Sequence, residues 1–306
     1  MSTLATRPTL LRRAADWTQS RAVLRRLAVL SVVVNVGIVV TGGAVRLTNS
    51  GLGCPTWPRC VGSSLIPREK LGINGAVEFT NRTLTFVVGV VLFLTFLVAW
   101  RQRRHAGLAL LALLGVPAQA VLGGVVVLTD LNPWLVALHF LLSTAIIAAT
   151  YVLWWRIAER ERVTTGAPVR ALAGLLTAAA VLVLVAGTVV TGAGPHAGDL
   201  KKGVVKRIDL SINGLAQLHA DLVMILIGLT VGVVALGYAT GSRPLRRVAL
   251  ILLGVELAQG VIGYTQYFLH VPPLLVGLHM FGACLVWLAT LQVLLTVGRP
   301  RLRAAG

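Results

Sequence analysis

The chain has 306 residues, 56% of them hydrophobic, with a mean hydropathy of +0.84, which excludes an ordinary water-soluble domain. Its net charge of +18 comes from 28 Lys and Arg against 10 Asp and Glu. Those cations sit in blocks beside apolar stretches, which argues against nucleic acid as the partner and for membrane lipid.

A helix needs about 20 apolar residues to cross about 30 Å of hydrocarbon. Eight stretches qualify: residues 27–46, 76–100, 106–129, 133–156, 169–192, 213–239, 245–267 and 272–297. The expected fold is therefore all-α and integral to a membrane. The basic tail, residues 1–26, carries Arg12, Arg13, Arg21, Arg25 and Arg26. It is Arg-rich and nearly acid-free, as a mitochondrial transit peptide would be, but lacks a convincing cleavage site. We read it as a topology signal in a bacterial inner membrane.

Helix 1 ends on Val39-Val40-Thr41-Gly42. The next loop holds Cys54-Pro55-Thr56-Trp57-Pro58-Arg59-Cys60, which in an oxidising compartment is consistent with a disulfide. A redox-active pair is the alternative; zinc is disfavoured because no second ligand pair is near. Helix 2 opens with Glu78-Phe79-Thr80-Asn81-Arg82. Glu78 suits a proton relay or an acid–base group at a membrane boundary, or an ion pair with Arg82 one turn on. Arg101, Arg103 and Arg104 follow that helix.

Helix 3 carries Ala118-Gln119-x-Val121-x-Gly123, and helix 4 follows with Pro133 and Val136-x-Leu138-His139. Both patterns recur without a gap 140 residues later, as Ala258-Gln259-x-Val261-x-Gly263, Pro273 and Val276-x-Leu278-His279. Val189-Val190-Thr191-Gly192 likewise repeats the end of helix 1 at the end of helix 5. The chain therefore reads as two pseudo-symmetric four-helix bundles, residues 27–157 and 169–298. A linker at 158–168, with Glu159, Glu161 and Gly166, joins them, and a tail at 299–306 follows. An even number of helices per half gives both halves one orientation. Gly115, Gly123, Gly124, Gly254, Gly260 and Gly263 are read mostly as small residues that let helices approach closely.

The cations fix the topology. Arg156, Arg160, Arg162 and Arg170, then Arg243, Arg246 and Arg247, then Arg299, Arg301 and Arg303 lie on the same side as the N-terminal tail. That side holds 19 of the 28 Lys and Arg, so both termini are expected in the cytoplasm. Arg46, Arg59, Arg68, Lys70 and Arg82 oppose the bias, as do Lys201, Lys202, Lys206 and Arg207. They would meet an anionic ligand or lipid headgroups.

His139, His219 and His279 lie about two turns into helices 4, 6 and 8, and Asn81 takes the matching place in helix 2. A histidine inside a membrane span is a functional candidate by default. Two imidazoles at one depth on facing helices of a bundle can clamp a haem between them. His219 and His279 would ligate the iron of a six-coordinate haem b, whereas His139 faces an amide and would hold a haem from one side. No carboxylate or Cys cluster accompanies them, which disfavours a bare metal ion. Asp221 points to another face of helix 6. Glu256, deep in helix 7, needs a partner, and Gln259 is the candidate. His196 in the third outer loop is a secondary candidate; His105 and His270 read as boundary residues, and Cys284 as a small apolar filler.

The stretch Thr41-Gly42-Gly43-Ala44-Val45-Arg46-Leu47-Thr48-x-Ser50-Gly51-Leu52-Gly53-Cys54-Pro55-x-Trp57-Pro58-x-Cys60, with the eight-helix duplication and the three histidines, resembles the bacterial haem A synthase family, in an actinobacterial-type form. The resemblance covers about residues 27–297. It implies an oxidoreductase that converts the methyl group of haem O to the formyl group of haem A by successive hydroxylations. It further implies His219 and His279 as the haem b ligands, His139 on the substrate haem iron, Glu78 as a catalytic residue and Cys54 with Cys60 as the loop pair. Asn81 and Arg82 fall on the substrate side, and Asn81 stands where many members have a fourth histidine. Arg46, Arg82 and the 201–207 cluster are candidates to pair with haem propionates. Haem O synthase and cytochrome oxidase assembly factors are the implied partners; an electron donor is required, and no motif marks it. A b-type cytochrome that only passes electrons from quinol, and a two-repeat transporter, are the competing readings.

Overall fold

The computed structural model describes residues 17–62, 64, 72–160, 162–199 and 205–298. Arg12, Arg13, Arg68, Lys70, Glu161, Lys201, Lys202, Arg299, Arg301 and Arg303 lie outside the described residues. Eight long helices follow one another: α1 (Arg21–Leu47), α2 (Gly72–Arg101), α3 (Ala106–Leu128), α4 (Pro133–Ile157), α5 (Ala167–Ala193), α6 (Ile212–Ala239), α7 (Arg243–Phe268) and α8 (Pro273–Thr296). At 1.5 Å per residue they run about 35 to 45 Å, longer than the hydrocarbon they must cross. All eight are apolar enough to do so. Phe86, 76% exposed, and Phe268, 69% exposed, point away from the protein on a surface suited to lipid rather than water. This is a multi-pass membrane protein.

Local chemistry sets the helix starts. Asn132 accepts a hydrogen bond from the Trp134 N–H at 3.0 Å, and Pro133 takes the first helical position of α4. Ser211 and Ser242 cap α6 and α7 in the same way. α1 begins six residues before the expected 27, at Arg21. Arg and Leu are good helix formers, so the helix runs on past its apolar stretch. The side chain of Gln102, beyond α2, donates to the carbonyls of Thr18 and Ser20 and fixes that start.

Consecutive helices pack as antiparallel hairpins, α1 also packs on α4, and α5 packs on α8. α1 and α4 meet α5 and α8 along the middle of the molecule. The largest buried cluster lies there and in the second set of helices, with Ile147, Leu176, Leu226, Leu245, Leu252 and Val293 all fully or nearly fully buried. Polar contacts cross this seam. Trp287 Nε1 donates to the Thr144 carbonyl at 2.9 Å, and the Tyr151 hydroxyl lies 2.5 Å from Gln292 Oε1. Gly43 of α1 seats the end of the Met280 side chain there, since a methyl group on it would land 1.6 Å from Cε and the methionine would have to turn away.

The fold is not purely helical. Val163–Thr164 (β1) pairs in parallel with Val297–Gly298 (β2), so α8 ends at Thr296 and not at 297. β-Branched residues on the linker favour the extended form, and the chain leaving α8 supplies the partner. Beside the linker, Arg104 hydrogen-bonds Glu159 and holds its carboxyl below the usual carboxylate range.

One expectation is corrected. Gln259 is not the partner of Glu256: Glu256 Oε1 accepts from the Thr230 hydroxyl on α6 at 2.9 Å, and Gln259 turns instead to the His279 carbonyl. A side chain three residues on lies a turn away along the helix, whereas Thr230 faces Glu256 directly across the α6–α7 contact. Of the six glycines singled out in α3 and α7, four do allow a close approach. Gly115 does seat Ile146, but a methyl group on Gly254 or Gly260 would meet nothing within 4 Å. Gly123, Gly124 and Gly263 lie against aromatic rings, those of His139, Trp57 and His279.

Candidate functional site

The rings of His219 and His279 are neighbours, with centroids 6.5 Å apart and planes at 72°, an edge-on arrangement. Two metal–imidazole bonds of about 2 Å plus two ring radii make about 6 to 6.5 Å, so the centroid spacing is compatible with a metal held between the two imidazoles. Nδ1 of each ring is buried without a hydrogen bond, and so is Nδ1 of His139. Each of the three rings thus keeps ring-nitrogen capacity that no protein group satisfies, as a ligand-binding imidazole would.

Each imidazole lies on a glycine of the preceding helix in its hairpin. A methyl group on Gly187 of α5 would sit 3.2 Å from Cε1 of His219, and one on Gly263 of α7 would sit 3.3 Å from Cε1 of His279. Gly123 of α3 stands 3.1 Å from His139 in the same sense. Glutamines complete two of these seats. Gln259 Nε2 donates to the His279 carbonyl at 2.7 Å, and Gln119 Nε2 to the His139 carbonyl at 3.0 Å. Each glutamine is four residues before its glycine, so one helix face holds both the backbone and the ring of the histidine. The repeated Gln-x-x-x-Gly motif is thus an orienting device. Gly187 does not stand out in the sequence, although Gly37 repeats it five residues before the Thr-Gly ends of α1 and α5.

The fourth position differs. Asn81 Oδ1 accepts from the Thr41 hydroxyl at 2.8 Å, which draws the amide toward the end of α1. Gly37, which repeats Gly187, has nothing within 4 Å.

Glu78, 5% exposed, makes the ion pair with Arg82 at 2.5 Å. Its other oxygen accepts from the Cys54 N–H at 2.6 Å. Arg82 donates to the carbonyls of Cys54 and Thr56 at 2.8 and 2.9 Å. Cys54 and Cys60 form the disulfide that closes this loop. Trp57, within the loop, lies flat over Gly124, where a methyl group would be 2.3 Å from the indole.

The remaining candidates act as struts. Arg46 donates to the carbonyls of His196 and Thr191 at 2.6 and 2.9 Å, and His196 Nε2 contacts the Val271 carbonyl at 2.8 Å. Arg207 reaches the Pro195 carbonyl. Asp221 is bound by Gln217 on the exposed side of α6. His105 and His270 both lie outside the helices, and Cys284 is buried. No cluster of three metal-ligating side chains occurs among the described residues.

The chain is similar in sequence to several haem A synthases. The chain is 31% identical over 152 residues to the haem A synthase of Alkalihalophilus pseudofirmus, covering 47% of this chain and 50% of the relative. It is 34% identical over 149 residues to that of Lysinibacillus sphaericus, covering 47% and 48%. Against the haem A synthase of Methylorubrum extorquens it is 29% identical over 365 aligned positions, covering 97% and 94%. The chain thus spans about half the length of the first two relatives and nearly all of the third. The cytochrome oxidase assembly protein model, COX15-CtaA, matches residues 25–76 and 72–291. Through that match, which takes in every one of the histidine seats, the chain belongs to the COX15-CtaA family of cytochrome oxidase assembly proteins.

Proposed function

We propose that the protein is a haem A synthase, oxidising the methyl group of haem O to a formyl group by successive hydroxylations. The observation that carries this is the neighbouring pair His219 and His279, 6.5 Å apart, each seated on a glycine. The relatives' activity gives that pair its context. A haem b bound there supplies one-electron iron chemistry.

The chain's own residues supply orientation. Gly187, Gly263 and Gln259 fix the two imidazoles before any ligand arrives, so little ordering remains for binding. In the first half, residues 27–157, His139 presents one nitrogen, and the amide of Asn81 is a poor iron ligand. One-sided ligation suits a substrate that must leave after reaction. Arg46, Arg82, Lys206 and Arg207 are the candidates for the propionates; Arg82 already donates to Glu78 and the disulfide loop, and Arg46 and Arg207 to the carbonyls of the third outer loop region, so a propionate would compete with those bonds. The farnesyl tail of haem O would lie among the apolar helix faces. By the distribution of cations, the histidine end faces outward and both termini lie in the cytoplasm. Residues 169–298 form the cofactor half.

The test uses protein purified in detergent from cells that make haem O. His219→Ala or His279→Ala is expected to lose the tightly bound haem b; full retention in either contradicts the ligand assignment. Glu78→Gln is expected to keep haem b while haem A formation falls at least tenfold. Normal turnover in that variant would remove Glu78 from the mechanism.

A further inference from the structure

The disulfide loop and the first-half histidine are joined through two adjacent glycines. Gly123 seats the ring of His139, and its neighbour Gly124 lies under the indole of Trp57. Trp57 is held there from the other side. Glu78 and Arg82 of α2 grip both ends of the Cys54 peptide unit and the Thr56 carbonyl, immediately before Trp57. Gly53 packs so closely on α2 that a methyl group on it would lie 2.3 Å from the Asn74 carbonyl oxygen. The disulfide then limits the loop to a small ring.

The second half lacks this arrangement. Gly123-Gly124 corresponds, 140 residues on, to Gly263-Tyr264. Gly263 keeps the histidine seat, but an exposed tyrosine, Tyr264, stands at the position equivalent to Gly124. Between Gly123-Gly124 and Gly263-Tyr264 the repeat therefore preserves the histidine seat and diverges at the residue under the indole.

We propose that Trp57 is a positioning residue that covers the His139 site and slows exchange of the haem bound there, with Glu78 and Arg82 acting through the loop to hold it in place. The proposal rests on reading the first half as the one that receives substrate. A resident cofactor needs no movable cover, whereas a substrate must be retained through several oxidations and then released. An aromatic plane one residue along α3 from the His139 seat would exclude water and close the path at the loop end.

The test measures haem loss to excess apomyoglobin from the purified protein, with extracted haems separated by chromatography. Trp57→Ala is expected to speed loss of haem O and haem A at least tenfold while haem b is retained. Gly124→Leu, which displaces the indole without removing it, is expected to do the same; retained haem b shows that the variant is folded. Trp57→Phe, which keeps an aromatic plane, should stay within about threefold of the parent. Unchanged loss rates in both Trp57→Ala and Gly124→Leu would overturn the role of Trp57 alone. A parent protein carrying only haem b would overturn the substrate-half reading, and the cover with it.

Discussion

At the residue scale, what matters at each histidine is the glycine opposite. Gly187 and Gly263 leave just enough room for Cε1 of His219 and His279, at 3.2 and 3.3 Å from where a methyl group would sit. A branched side chain there must push the imidazole out of line. Gly187→Val or Gly263→Val is expected to weaken haem b binding about 10- to 100-fold, the usual effect of disturbing the shell behind a ligand. Gly260→Ala, on the same helix with open space around it, is expected to leave haem b untouched. Haem titration of the apoprotein reads both; equal effects at Gly260 and Gly263 would contradict the seat. The histidines are legible in the sequence because a ring nitrogen is costly in hydrocarbon. Their seats are only half legible. Gly123 and Gly263 stand in the repeat but match the ordinary pattern of small packing residues. Gly187 is conspicuous only once its distance to His219 is known. The partner of Glu78 is visible as one of two readings, since Arg82 is one turn away; its second bond, to the Cys54 N–H, joins residues 24 apart and leaves no trace in the spacing.

At the element scale, hydropathy locates all eight helices, and their ends move by a few residues wherever good helix formers or caps continue beyond the apolar stretch. It cannot say which faces meet. Glu256 on α7 illustrates this, because its partner comes from α6 and its second oxygen is buried without a hydrogen bond. A buried polar atom without a partner costs about 1 to 3 kcal/mol. The Leu226 carbonyl lies 3.0 Å from the Thr230 hydroxyl and can take its single proton when the carboxyl is gone. Glu256→Leu is therefore expected to leave the α6–α7 hairpin as stable or to stabilise it by about 1 kcal/mol. A large drop in melting temperature, measured in detergent, would show that the carboxyl has a partner the geometry does not reveal. The two-residue pairing of the linker with the end of α8 is illegible for a different reason. Strand pairing between residues 163 and 297 depends on where two helices end in space.

At the scale of the whole molecule, the gapless repeat at an offset of 140 residues carries the same Gln, Gly and His into both halves, and the differences between halves fall at defined places. Asn81 stands where His219 would predict a histidine, Gly124 where Tyr264 stands, and the disulfide loop caps the first set of helices only. The halves are joined by Trp287, Tyr151 and Arg46, whose partners are all on the opposite half. Such an asymmetric pair suits one haem that stays and one that is processed. An electron wire would be expected to hold both haems equally well.

The most direct test of that claim is an oxidised-minus-reduced optical spectrum of the purified protein, followed by chromatography of its extracted haems. The account predicts a low-spin b-type signal together with haem O or haem A in the extract. Haem b alone would contradict the division of labour between the halves and leave an electron-carrying cytochrome. No haem at all, from cells supplied with haem precursors, would contradict the His219–His279 site itself.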